Sequence, residues 1–383
     1  MTTVADCLSA IDRLAPFRLA EQWDNVGLVL GDRRQEVRRV LVSLDLSDAV
    51  CDEAAEVGAD LHFTHHPPLF KNVERMTADT SAGRLALRVL NDRRSLIAAH
   101  TNLDAARGGL CDILAGMAGM QDLPAGGNAP AGEGTRPLQQ SPPAWRYKVV
   151  VFVPPEAMEA VRAAAFAAGA GRIGHYTECS FSAEGEGTFL PGDAAHPAVG
   201  RKGARSTVRE RRIEMLIDDR RIGAVAAAIK HAHPYEEPAI DVYPLHGAAS
   251  GVGVGRVGRL ARPSPLGDLA DRVRQALGLA TIGVAGDPGR VVERVALVTG
   301  SGSGVLEAVF ESGAQVYLTG ELKYHEVEDL AARGVSAILG GHYRTERIPL
   351  DAWTPRLAAE LPGVDVRLSQ RERESLEQRT AGT

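Results

Sequence analysis

The sequence has little cysteine, few aromatic residues and no long apolar run, and each shortage removes a class of protein. Four cysteines in 383 residues (Cys7, Cys51, Cys111 and Cys179) form no CxxC pair and no close spacing. A disulfide framework and a cysteine zinc site are thereby excluded as organising elements. No apolar stretch approaches the ~20 residues needed to span a bilayer. Met1-Thr2-Thr3-Val4-Ala5-Asp6 also lacks a basic segment followed by an apolar one. A soluble, cytoplasmic protein with no membrane partner is expected. Positive charge is not in excess, since the formal net charge is −6. The basic run Arg201, Lys202, Arg205, Arg209, Arg211 and Arg212 has no interleaved aromatics, so no nucleic-acid interface is expected. It reads as a solvated hairpin or, alternatively, as a contact for an anionic ligand.

Phosphate-loop signatures are missing as well. Gly300-Ser301-Gly302-Ser303-Gly304 follows a strand and precedes a helix, yet no Gly-Lys-Ser/Thr comes after it. It is not a Walker A loop. It reads either as a flexible turn or as an anion site built from backbone N–H groups. Gly253-Val254-Gly255-Arg256-Val257-Gly258 matches GxGxxG by letter, but Pro263 interrupts any helix that would open there. The segment reads as linker. The tail Arg371-Glu372-Arg373-Glu374 reads as a charged terminus without chemistry.

What the sequence does contain is a histidine pair. Leu61-His62-Phe63-Thr64-His65-His66-Pro67-Pro68 is an apolar strand ending in two imidazoles pinned by prolines. Imidazole is the commonest protein ligand for zinc and related divalent metals, and adjacent rings pointing apart can each hold one member of a metal pair. Two further histidines precede a carboxylate by four residues, in His100-x-x-x-Asp104 and His342-x-x-x-Glu346. In a helix, such residues lie about 5–6 Å apart on one face. His, Asp and Glu together suit zinc, manganese, iron or nickel. His62, His175, His196 and His246 have no such company and read as structural, while His231 and His233 read as capping or packing residues.

An internal repeat places these residues together. Arg39-Val40-Leu41-Val42 resembles Arg294-Val295-Ala296-Leu297, and at the same offset of 255 Gly58-Ala59 matches Gly313-Ala314 and Thr64 matches Thr319. Each copy reads as strand, short helix, strand, then threonine. His65-His66 follows in one copy and Gly320-Glu321 in the other. Two similar lobes would bring their strand ends to a common cleft, where open α/β sheets bind ligands.

The domain reading follows from composition. Residues 1–123 form a first lobe, and 124–145, rich in Pro, Gly, Ala, Ser and Gln, form a linker. Residues 146–245 are an inserted domain and 250–370 a second lobe. The insert reads strand Tyr147–Val153, helix Pro155–Ala168, a hairpin from Ile173–Phe181, strand Ile213–Ile217, helix Ile222–His231 and strand Ala239–Tyr243. That β-α-β-β-α-β order is ferredoxin-like.

At Trp23-Asp24-Asn25-Val26-Gly27-Leu28, Thr64-His65-His66-Pro67, His100-Thr101-Asn102-Leu103-Asp104, Thr319-Gly320-Glu321-Leu322-Lys323-Tyr324-His325 and Gly341-His342-Tyr343-Arg344-Thr345-Glu346, the chain resembles the Nif-three-like dinuclear metal centre proteins, also called GTP cyclohydrolase 1 type 2 homologues. The matches run from the first helix to about Leu350. Arg107 departs from the family, where many relatives carry proline. The resemblance implies an α/β fold of two similar lobes in one discontinuous domain, with His233-Pro234-Tyr235-Glu236-Glu237-Pro238 similar to the PII/CutA-like inserts of longer members. It implies two divalent metals per subunit, zinc first with manganese, iron, nickel or magnesium as alternatives. Their ligands would be His65, His66, Asp104, His342 and Glu346, with Glu346 bridging. It further implies a homohexamer, a trimer of dimers. The chemistry expected is metal-dependent hydrolysis of a small anionic substrate such as a nucleotide or phosphoester. Glu321, aligned with a histidine ligand, and His325 four residues on are candidate proton-transfer groups. The rival expectation is a non-catalytic metal-binding scaffold or regulatory protein with a ligand-sensing insert.

Overall fold

The structure, a computed structural model, describes residues 1–69, 76–121, 134–141, 147–173, 176–218, 221–245 and 251–375. His175, His246 and most of the expected linker lie outside the described residues. The chain divides into two compact units, one made of Met1–Ser141 with Gly251–Thr383 and the other of Pro142–Ser250. Among the described residues no helix is long and apolar enough to cross a membrane.

The discontinuous unit contains two five-stranded sheets. In the first, the spatial order is Gly27–Leu30, Ser95–Ala98, Leu61–Thr64, Arg39–Ser43 and Asp365–Leu368. Every pairing is parallel except that of Gly27–Leu30 with Ser95–Ala98. Strands Leu61–Thr64 and Ser95–Ala98 are buried at every position, as expected where both faces of a parallel sheet are covered. The crossovers are helices Asp48–Val57, capped by the Ser47 side chain, and Ser81–Asn91, capped by Thr80. In the second sheet the order is Arg256–Pro265, Val291–Leu297, Val316–Thr319, Ser336–Leu339 and Gly283–Ala285. Its middle three strands are parallel and its outer pairings antiparallel. Each lobe thus has three parallel strands at its centre. The offset of 255 holds through two of them, with Arg39–Ser43 matching Arg294 onward and Leu61–Thr64 matching Val316–Thr319.

Helix His342–Glu360 ties the lobes together. It begins at the end of the second sheet, then buries Leu350, Trp353 and Leu357 in the core of the first lobe with Ile11, Phe63 and Leu103. Trp353 stacks on Phe63 at 5.4 Å between ring centroids. The chain then adds Asp365–Leu368 to the edge of the first sheet, in register with Arg39–Val42. This corrects the expectation that the second lobe runs to residue 370: the apolar face of this helix belongs to the first lobe and carries the last strand there.

A second correction concerns Gly253–Gly258, which is not linker. Gly253–Val254 pairs with Gln139–Gln140, and Arg256 opens a ten-residue edge strand. Gly255 has φ +63, and a Cβ there would sit 2.6 Å from the Leu297 carbonyl oxygen. The glycine is required by close backbone approach, which its letter alone does not distinguish from flexibility.

The inserted unit is a four-stranded antiparallel sheet ordered Phe181–Phe189, Ser206–Ile217, Tyr147–Val153, Ile240–Pro244. Helices Met158–Ala167 and Ile222–Ala232 share its core: Val161, Ala165, Val225 and Ile229 pack with Val149, Val151, Val153, Ile213, Met215 and Ile217. The β-α-β-β-α-β order is the ferredoxin-like one. Its central hairpin is longer than the apolar pattern indicates, because Ser206–Arg212 pairs although none of its residues is buried. There Arg211 pairs with Glu184, and Arg212 with Glu214 at 2.9 Å. Buried His233 donates from Nε2 to the Phe152 carbonyl at 2.9 Å and accepts from Tyr235 N–H at 3.0 Å, a turn-stabilising role.

Candidate metal centre

The C-terminal ends of the parallel strands of both sheets supply the polar cluster, as open α/β sheets do. His65 and His66 directly follow Leu61–Thr64, and their backbone N–H groups are tied to the carbonyls of Ser43 and Leu44. His100 precedes the short helix Thr101–Ala105, which carries Asp104. His342 and Glu346 lie in the first turns of helix His342–Glu360.

Four imidazoles are fixed in the same way. His65 Nδ1 lies 2.9 Å from the Ala99 carbonyl, His66 Nδ1 2.8 Å from Asp45, His100 Nδ1 3.1 Å from Asp24, and His342 Nδ1 2.9 Å from Glu321. Carbonyl and carboxylate oxygens only accept, so each Nδ1 carries the hydrogen. In His65, His66 and His342 this leaves Nε2 to face the carboxylates. His65 Nε2 is 3.7 Å from Asp104 Oδ2 and 3.9 Å from Glu346 Oε1. His66 and His342 bring Nε2 to 3.1 Å and 3.2 Å from Glu346 Oε2. None of these approaches has hydrogen-bond alignment: His65 Nε2 and Glu346 Oε2 are buried without a hydrogen-bond partner. Buried ligand atoms that converge without aligned hydrogen bonds are what a cation site requires and what a folded core otherwise avoids. Ligand atoms of His66, His342 and Glu346 lie within 4.8 Å of one another, as do those of His65, His66 and His100. The residue chemistry fits a divalent metal, with each Nδ1 anchored by an oxygen acceptor in the manner of metal-bound imidazoles.

Electrostatics agree. Burial pushes the His65 imidazole down to about 3, so it is neutral. Burial also opposes protonation of His66, but the bond to Asp45 and the Glu346 carboxylate outweigh it and raise its pKa to about 10. Glu346, together with Glu321 and against burial, raises His342 to about 9. Burial works to raise Glu346, yet His342 and His66 hold it well below the usual carboxylate range. Asp104 goes the other way, up to about 7, from burial and repulsion by Glu346. Without a cation, protons on two imidazoles supply the counter-charge.

The structure brings His65, His66, Asp104, His342 and Glu346 together, and it adds His100, whose ring lies 5.1 Å from His65 and 5.2 Å from His66. Glu321 sits beyond His342 and orients its ring. His325 is not in the cluster. Glu321 precedes helix Tyr324–Ala332, so the two share no helical face, and His325 is exposed beside Tyr324. Three supports were not legible. Thr299 donates to Asp104 Oδ1 at 2.7 Å from the opposite lobe. Asp24 holds His100 and Thr101. Glu372, in the charged segment 371–374, accepts from Asp45 N–H at 2.7 Å and from Arg347 at 3.0 Å, so this segment braces the residue that orients His66.

Part of the glycine loop is hydrogen-bonded within the fold. The N–H groups of Gly300 and Gly302 already donate to Thr345 Oγ1 and the Glu321 carbonyl. Gly300, at φ +61, leaves the space that Glu346 Oε1 and His342 occupy. A bare backbone is needed there because the carboxylate lies against it.

Comparison with known proteins gives the same architecture. A family model described as Duf34/NIF3 (NGG1p interacting factor 3) matches residues 2–375. A Mycobacterium tuberculosis protein named "GTP cyclohydrolase 1 type 2 homolog" is 40% identical over 346 residues, covering 90% of this chain and 88% of that protein. A Bacillus subtilis protein of the same name is 36% identical over 352 residues, covering 92% and 91%. Among solved structures, a Bacillus cereus protein related to NIF3 is 32% identical with a TM-score of 0.68, covering 98% of this chain and 99% of that one. A Staphylococcus aureus protein is 27% identical with a TM-score of 0.74, at the same two coverages. With a family match along almost its whole length and relatives of this identity, the chain belongs to the DUF34/NIF3 family.

Proposed function

We propose that the chain holds two divalent metal ions, zinc foremost, and is a metal-dependent hydrolase of a nucleotide or phosphoester. The observation that carries this reading is the convergence of buried His65 Nε2 and Glu346 Oε2, neither with an aligned hydrogen bond, with His66, His342 and Asp104, at the wall of a cavity that His66, Asp104, His342 and Glu346 line. Those five residues would hold the ions, with Glu346 common to both. Such a pair supplies a water activated at neutral pH and a positive clamp on the substrate's oxygens. The chain's own contribution is orientation. Asp45, Glu321 and the Ala99 carbonyl lock the imidazole tautomers, and Thr299 fixes Asp104. Glu321, exposed on the Nδ1 side of His342, away from Glu346, is the group placed to exchange a proton between that ring and solvent. We propose that the inserted unit is of the PII/CutA-like kind and that the protein assembles as a trimer of dimers, which light scattering would test. The name carried by the relatives supports nucleotide chemistry. The test is a screen of nucleoside triphosphates and phosphodiesters with zinc- and manganese-loaded protein. Turnover abolished by a chelator and restored by metal is expected. Stoichiometric metal with no turnover on any of them would favour the scaffold reading.

Two predictions test the site directly. His66 and His342 are protonated at neutral pH in the metal-free protein, because their pKa values lie at about 10 and about 9. A metal must displace those protons, and part of the one on Asp104, whose pKa is raised to about 7, so loading at pH 7 should release roughly two to three protons per subunit and affinity should rise with pH until both imidazoles are neutral. Calorimetry in buffers of different ionisation enthalpy measures this, and a buffer-independent heat would refute it. Thr299→Val removes the hydroxyl that orients Asp104 and should weaken metal binding by roughly 10–100-fold, whereas Thr299→Ser should stay near wild type in a chelator competition.

A further inference from the structure

The cavity over the metal-competent residues has a volume of about 640 Å³ and is lined on one side by Trp23, which keeps 61% of its surface exposed. A lone exposed apolar side chain is ordinary. This one is held in place. On one flank, the Glu21 N–H donates to Thr101 Oγ1 at 3.0 Å. On the other, the fully buried Asp24 carboxylate accepts from Thr101 N–H at 3.0 Å and His100 Nδ1 at 3.1 Å. The indole itself stands edge-to-face to His100 with centroids 5.9 Å apart. Its backbone is thus tied on both sides to the turn that carries the site, while the ring stays open. A rigid aromatic surface costs little conformational entropy when a ligand stacks on it. Val254, Val298 and Val305 line the same cavity and suit the rim of a flat ring better than a polar chain. A volume of this size accommodates a ligand of nucleotide size.

We propose that Trp23 is a stacking surface for a planar heteroaromatic ring, so that the substrate class is one carrying such a ring beside its hydrolysable group. The inference rests on the hydrolase reading for the role of the metals, but not for the stacking itself.

The experiment is calorimetric binding of adenosine 5′-monophosphate, ribose 5-phosphate and adenosine to zinc-loaded full-length protein, wild type, Trp23→Ala and Trp23→Phe. The exposed position should leave metal content unchanged in both variants, which serves as the folding control. Adenosine 5′-monophosphate should bind roughly 10–100-fold more tightly than ribose 5-phosphate. Trp23→Ala should close that gap, and Trp23→Phe should keep part of it. Equal binding of the two phosphates in wild type, or a gap that survives in Trp23→Ala, overturns the stacking surface and leaves the hydrolase reading standing. Trp23-dependent adenosine binding without turnover of any phosphoester upholds the surface and removes the hydrolase.

Discussion

Replacing Arg256 with methionine should destabilise the discontinuous unit by about 3–5 kcal/mol. Arg256 has no accessible surface. Its Nε donates to Asp112 Oδ1, its Nη1 to the carbonyls of Gly253 and Gly255 at 2.8 Å and 2.7 Å, and its Nη2 to that of Ala106 at 2.9 Å. Asp112 also accepts from Gly108 N–H. One guanidinium therefore joins the turn after Thr101–Ala105 in the first lobe to the edge strand of the second. Methionine fills much of the volume but leaves a buried carboxylate without its cation, and that uncompensated charge is the main cost. The double variant Arg256→Met/Asp112→Leu should recover most of the loss, since a well-packed apolar pair is tolerated where a half-pair is not. Urea unfolding followed through the emission of buried Trp353 measures both. A single variant within 1 kcal/mol of wild type would show that this pair does not hold the lobes.

That residue lies in a run the sequence presents as six letters of glycine-rich linker, and the reason it misleads is physical. Glycine is chosen both where a chain is free and where two backbones touch, and only the partner strand Gln139–Gln140 and the Leu297 carbonyl reveal which applies. Local patterns were legible where local physics decides. The strand before His65, the strand–helix order of the insert and the four-residue step from His342 to Glu346 follow from periodicity, and the last appears as a 3.2 Å approach. The same step misrepresents His100, which stands before its five-residue helix and is aimed by Asp24 from far along the chain. Long-range braces such as Thr299 on Asp104, or Glu372 on Asp45, leave no trace in spacing. Each joins segments whose neighbourhood exists only after the lobes and the last strand have assembled.

Glu346→Gln should have the largest effect at the proposed metal centre. The carboxylate is 3% exposed and faces His65 through Oε1 and both His66 and His342 through Oε2. The amide keeps the shape, removes the charge that both ions would share, and turns donors or a weaker acceptor toward three imidazole nitrogens. Loss of one outer support costs roughly 10–100-fold in metal affinity, so loss of the shared ligand should exceed that. Protein purified without chelator should retain at most one metal per subunit by elemental analysis, with turnover lost. A second consequence separates this from simple misfolding. Glu346 is the first cause of the raised pKa of His342 and a contributor to that of His66. In the variant both imidazoles should titrate at lower pH, so fewer protons remain at neutrality for a metal to displace. Proton release on adding zinc should shrink along with the affinity. A Gln variant that binds both ions as tightly as wild type, with the same proton release, would place the metals elsewhere than around Glu346.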